Sequence, residues 1–257
     1  MRFIFILFIT LNFPLFAQLQ DSLIGKDLLE KCIFFHDPLQ KWNQFQGKIF
    51  LSHGTDEITK SEVTIDFDKN YFCYQALKEG ELVQQIVHDK DAYFKVNKKK
   101  NKAKQSLIDK HYLGAAQSKF WKNFFVYLYG LPMKLTDDGT IVHDKVYKEQ
   151  FNGKEYLVLK VGYSPEVGKE IWYFYIHPQT FELKAYQFYH NEEQNDGEYI
   201  LLEELVEFEG MKIPKTRIWF MNKDDKQIGR DVLDKIEKIW FPVSYTHLRA
   251  HETRHDL

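Results

Sequence analysis

Cysteine is nearly missing from this chain, with two residues in 257, Cys32 and Cys73. Neither has a CxxC partner, which excludes a structural zinc site. Both sit among apolar neighbours, where a buried free thiol is the ordinary state. A disulfide between them stays the alternative, because spacing along a chain gives no distance. Charge of one sign is lacking too. Thirty-five Lys and Arg stand against 37 Asp and Glu, a formal balance of −2 that argues against nucleic acid as the main partner. No Gly/Ser/Pro-rich linker divides the chain and no repeat recurs at a fixed period, so one domain is expected. GxSxG, HExxH and P-loop sequences are missing, so the common hydrolase and nucleotide-binding signatures have no footing.

Long apolar runs are confined to the start. Residues 1–17, MRFIFILFITLNFPLFA, combine an early Arg, an apolar stretch and a small residue, Ala17, before Gln18. This pattern predicts a secretory signal peptide and a periplasmic or secreted protein. The apolar part falls short of the roughly 20 residues a membrane span needs. At the other end, SYTHLRAHETRHDL (244–257) packs His247, His251 and His255 into fourteen residues. It resembles translated adapter sequence rather than protein, so the domain is expected over 18–243 and the tail is set aside from fold reasoning.

Between these ends, Asp21 or Ser22 is placed to cap a helix with apolar positions Leu28, Leu29, Cys32 and Phe35, ending before Pro38. The period then changes to two. Short strands are predicted at 48–52, 62–68, 71–77, 81–88 and 92–97, separated by turns such as Asp68-Lys69-Asn70 and Glu79-Gly80. Five lysines over 98–104 read as a solvated loop. A second meander is expected from 154 onward, at 154–163, 170–177, 182–190, 197–209, 212–222 and 229–236.

What the chain has in plenty is aromatic side chains, 16% of all residues. The stretch FWKNFFVYLYGLPMKL (120–135) places Phe120, Phe124, Tyr127, Leu128 and Leu131 at helical spacing, with Trp121 and Phe125 widening the stripe. A bulky amphipathic helix over 106–129 follows. Gly130 is read as its left-handed stop and Pro132 as preventing resumption, so that Leu131 and Met133 leave as an extended segment. In the strand at 171–177 both alternations are apolar: Ile171, Tyr173 and Tyr175 on one face, Trp172, Phe174 and Ile176 on the other. Both faces of that sheet therefore need cover. The expected fold class is α+β, a curved antiparallel sheet or half-barrel with helices plugging its concave face.

The runs His36-Asp37-Pro38, YLYGLPMKL (127–135), GKEYLVLKV (153–161), WYFYIHPQT (172–180), NDGEYI (195–200) and PKTR (214–217) resemble a family of secreted bacterial proteins of unknown function. Asp138 stands where that family's pattern has Pro, a change within a turn. The resemblance implies no activity. The element order is similar to the periplasmic lipoprotein carriers of the LolA and LolB type, half-barrels with a helical lid over an apolar cavity, and this implies the fold more than the function.

Two functions compete on these grounds. A lipid or lipoprotein-binding carrier would hold an apolar ligand between the helix and the sheet. Phe120, Trp121, Phe124, Phe125 and Leu128 would line the lid, with Trp172, Phe174 and Trp219 on the sheet. A secreted hydrolase would assemble its site from His36, Asp37 and His190, with Glu198 a further candidate, and would bring those groups within hydrogen-bond reach. A structural envelope protein would instead show a filled core and no cleft. The run Asn195-Asp196-Gly197-Glu198 lacks regular calcium-loop spacing and reads as a hairpin turn. The carrier is the preferred reading: a monomer without cofactor, metal or catalysis, with an acyl chain as ligand and an envelope protein as a further partner.

Overall fold

The computed structural model describes residues 23–55 and 57–239. The expected signal peptide, the tail from 244 and the caps Asp21 and Ser22 lie outside the described residues. Helix α1 (Gly25–His36) comes first, preceded by Ile24 in extended conformation. Strands β1 (Gln46–His53), β2 (Thr59–Asp66), β3 (Tyr71–Lys78), β4 (Glu81–His88), β5 (Asp91–Val96) and β6 (Lys99–Lys100) form the first meander. Helices α2 (Gln105–Lys110) and α3 (Ala115–Gly130) lead to the second. It comprises β7 (Thr140–Phe151), β8 (Lys154–Tyr163), β9 (Ile171–Ile176), β10 (Leu183–Asn191), β11 (Asp196–Phe208), β12 (Met211–Met221) and β13 (Gln227–Lys238).

All thirteen strands join one antiparallel sheet that does not close, in the order β6-β5-β4-β3-β2-β1-β13-β12-β11-β10-β9-β8-β7. The two meanders meet at its centre, where β1 pairs with β13 and His53 stands opposite Asp231. The strands β6 and β7 are neighbours in sequence but occupy opposite edges. The helices between them must therefore cross the sheet. An open twisted sheet of more than about ten strands curls, and the crossing helices fill the inside of the curl.

The inner face follows from alternation. Ile49 and Leu51, Val63 and Ile65, and Phe72, Tyr74 and Ala76 point into the main core, while Lys48 and Glu62 form an ion pair on the outer face at 3.4 Å. Helix α1 packs on β7, β8 and β12, and α3 on β3, β4 and β5. A smaller core beneath α2 joins Leu107 and Leu113 to Val83, Phe94 and Val96. Both edges carry protection against pairing with another chain. The β6 edge is two lysines long, and β7 bears Asp144, Lys145, Lys148 and Glu149 with an irregularity between Val142 and Val146.

Several expectations are corrected. The helix expected over 106–129 is two helices, broken at 111–114. The strand β7 is not among the expected strands: most of its residues are exposed and four of its twelve are charged, so it shows little apolar alternation. Gly130 does not stop α3 by a left-handed turn. It is the last helical residue, and a Cβ there would sit 2.5 Å from the Trp42 ring, so close packing is what demands glycine. After it Leu131 is extended, as expected, but a cis Leu131–Pro132 bond leads into a 3-10 turn, Met133–Thr136, so Met133 does not continue the extended segment. The apolar outer face of β8–β11 is covered by its own rings rather than by another layer. Tyr156, Val158, Tyr175 and Ala185 are buried there beneath Tyr147, Phe151, Tyr173 and Leu201, with Phe151 stacked on Tyr175 at 4.3 Å. Cys32 and Cys73 are free and buried. Burial raises both thiols, Cys73 to about 11, so neither is a ready nucleophile.

Candidate functional site

The aromatic stripe of α3 meets the sheet ring by ring. Trp121 stacks on Tyr74 at 4.9 Å, and Phe125 lies at 5.4 Å from Tyr74 and 6.4 Å from Phe72. Phe124 stacks on Trp219 at 6.1 Å, while Tyr127 meets Trp172 edge-on at 5.4 Å. Tyr127 and Tyr163 share a hydroxyl–hydroxyl bond, and burial holds the Tyr127 phenol well above its ordinary range. At the first turn of α3, the Ser118 hydroxyl lies 2.8 Å from Gln85 Oε1 and 2.9 Å from the Tyr93 carbonyl. At its last turn, Arg217 donates to the Leu128 carbonyl at 3.3 Å and to the Pro214 carbonyl at 3.0 Å, placing a cation where the helix dipole is negative.

The eight side chains singled out from the sequence fall into three positions. Phe125, Leu128 and Phe174 are buried in the main core. Trp121, Phe124, Trp172 and Trp219 are half-buried and packed against that core. Phe120 is 52% exposed and turns away from the sheet, although it stacks on Phe124. Phe124 and Trp219, with Ile228, Gly229 and Asp231, line an open cleft of about 260 Å³ between the lid and the sheet. A larger groove of about 1380 Å³ runs beside α1, lined by Phe34, Phe35, Phe181, Leu157 and four charged side chains, and reaches Leu23, where the described residues begin.

The groups proposed for hydrolysis are each committed elsewhere. His36 Nδ1 donates to the Lys212 carbonyl at 2.6 Å, and its Nε2 accepts from the Leu183 amide at 3.0 Å. That arrangement requires the neutral ring, and burial pushes its pKa down to about 4. The Asp37 carboxylate accepts from the amides of Lys41 and Trp42 at 2.7 and 2.8 Å. His190 is exposed and faces Glu170 at 3.5 Å. The carboxyl of Glu198 is raised by burial, with His190 acting in the opposite sense. The structure does not bring His36, Asp37 and His190 into one site.

Sequence reasoning missed a polar string on the inner face. Asp231 Oδ2 accepts from Trp219 Nε1 at 3.0 Å, and its Oδ1 lies 2.7 Å from His53 Nδ1. His53 Nε2 in turn lies 2.6 Å from Ser61 Oγ. The atoms follow the order of a Ser–His–Asp relay. The hydroxyl of Ser61, however, belongs to a residue only 5% exposed, in a strand paired on both sides. Its backbone amide is committed to the ladder and is not free to stabilise an oxyanion. The string ties β1, β2, β12 and β13 together. His53 and Ser61 flank one hairpin and their proximity was legible from the sequence; Asp231 reaches them only through the β1–β13 register.

The open antiparallel sheet crossed by α3 is similar in fold to a solved LolA superfamily protein. A LolA superfamily protein from Nitrosomonas europaea, NE2245, aligns over 85% of this chain and 95% of its own with a TM-score of 0.51 at 11% identity. A putative outer membrane lipoprotein-sorting protein domain from Vibrio parahaemolyticus aligns over 83% of this chain and 92% of its own, with a TM-score of 0.46 at 8% identity. No curated protein sequence matches the chain. By sequence, the chain belongs to a family of unknown function, DUF6503, whose pattern matches residues 2–237.

Proposed function

We propose that this protein is a non-catalytic carrier of the bacterial periplasm or exterior that shelters an acyl chain between α3 and the inner face of the sheet. The observation that supports it most is the open cleft of about 260 Å³ where Phe124 of the lid faces Trp219 of the sheet. Trp121 and Trp172, half-buried beside it, extend the apolar wall. Each methylene taken from water there contributes about 0.8 kcal/mol. Among the described residues no helix is long and apolar enough to cross a membrane.

The experiment is mass spectrometry of lipids released from purified protein, followed by titration with a fluorescent apolar dye. Co-purified acyl lipid and saturable dye binding that weakens at least severalfold in Trp219→Ala are expected. Protein that is consistently empty and dye-silent would sink the reading.

A further inference from the structure

Deep on the inner face, two polar atoms that water cannot reach have no hydrogen-bond partner: Nε of Arg217 and the hydroxyl of Tyr186. Both side chains are 1% exposed. Buried polar atoms left unpaired are uncommon and each calls for a cause. The Arg217 guanidinium lies over the Tyr129 ring at 3.9 Å, and its two terminal nitrogens are engaged by the carbonyls of Leu128 and Pro214. Among the described residues it forms no ion pair within 4 Å. Asp231 stands opposite Arg217 in the ladder, yet its oxygens bond His53 and Trp219. A cation taken out of water without a counter-ion is costly to keep. The charge also acts on both phenols, opposing the rise that burial imposes on Tyr129 and Tyr186.

The place of this cluster gives the unpaired atoms a meaning. Trp219 and Asp231, which line the open cleft, are the neighbours of Arg217 on the same face, Trp219 two residues along β12 and Asp231 across on β13. Tyr186 stands across β11 from Trp219, so the head of an acyl chain entering between Phe124 and Trp219 would move toward Arg217 and Tyr186.

We propose that the ligand ends in an oxyanion, a carboxylate or a phosphate, to which Arg217 Nε and the Tyr186 hydroxyl donate beneath the last turn of α3. This deepens the carrier reading and rests on it. The anion supplies the missing counter-charge, and its arrival competes for the guanidinium that holds the Leu128 carbonyl.

The test is displacement of the neutral dye N-phenyl-1-naphthylamine by palmitate, by 1-palmitoyl lysophosphatidic acid and by methyl palmitate. In the unaltered protein at least one acid is expected to displace the dye at about tenfold lower concentration than the ester, a difference of about 1.4 kcal/mol. Whichever acid is stronger identifies the head group. Tyr186→Phe removes an unpaired hydroxyl and is expected to melt at the same or a higher temperature, while losing much of the preference for acid over ester. Arg217→Met is expected to abolish it. Ester competing as well as both acids, or Tyr186→Phe keeping the full preference, overturns the proposal and leaves the carrier reading standing. If the dye never binds, both fall.

Discussion

The two long helices on the inner face are held in different ways. Helix α1 is fixed at its C-terminal end by directional bonds: His36 reaches β10 and β12, and Asp37 caps the turn that follows. Helix α3 is tied at its ends by Ser118 and Arg217, and between them it rests mainly on stacked rings, with one hydroxyl bond from Tyr127 to Tyr163. Hydrogen bonds fail within a few tenths of an ångström or a few tens of degrees. Ring stacks tolerate offset and tilt over separations of 4.5–7 Å. The difference teaches which of the two helices is suited to shift over a ligand, and it is α3.

The contrast breaks most visibly at Phe125, 3% exposed and stacked on two rings of β3. Phe125→Ala is expected to lower unfolding free energy by about 3–5 kcal/mol in a urea titration. Next is the α1 joint. Burial disfavours the charged ring of His36, so its pKa is about 4 folded against 6.5 unfolded. The neutral ring's contribution is present in full above pH 6.5 and is lost as pH falls through about 4. That amounts to about 3 kcal/mol, read as a slope in unfolding free energy that His36→Gln should flatten.

Asp37→Ala removes a buried acceptor of two backbone amides. It is expected to cost about 1.5–3 kcal/mol, measured by thermal melting, with dye binding under α3 unchanged. Loss of dye binding in that variant would erase the distinction between the helices. Smallest is Phe120→Ser on the exposed side of α3, expected to alter stability by no more than about 0.5 kcal/mol. A larger loss would mean that the outer ring of the stripe supports the lid after all.

The strand meanders were legible because β1–β4 keep a period of two, and the α+β sheet with its crossing helix followed from element order. The break between α2 and α3 was not legible, since apolar residues continue on either side of 111–114. Nor was β7, whose exposed edge carries charges in place of alternation. Several runs that carry the family resemblance turn out to be joints: His36 and Asp37 seat α1, and Arg217 of PKTR meets the end of α3. The face each ring takes was hidden, because a strand apolar on both sides does not reveal its parity. Trp172 and Trp219 were named on the correct sheet, but their position under α3 comes from the β12–β13 and β9–β10 registers. The unpaired Arg217 and Tyr186 come together across β11, from β12 and β10, which no local pattern encodes.

Because β6 and β7 stand at opposite edges and are joined through α2 and α3, the chain from 101 to 139 is strung like a chord between the tips of a bow. Flattening the bow parts its tips and draws the chord taut over the hollow. Bending it further slackens the chord and lets the helix rise. In the proposed carrier, loading and release of cargo would be tied to the bend of the whole ribbon, far from the rings proposed to line the cleft.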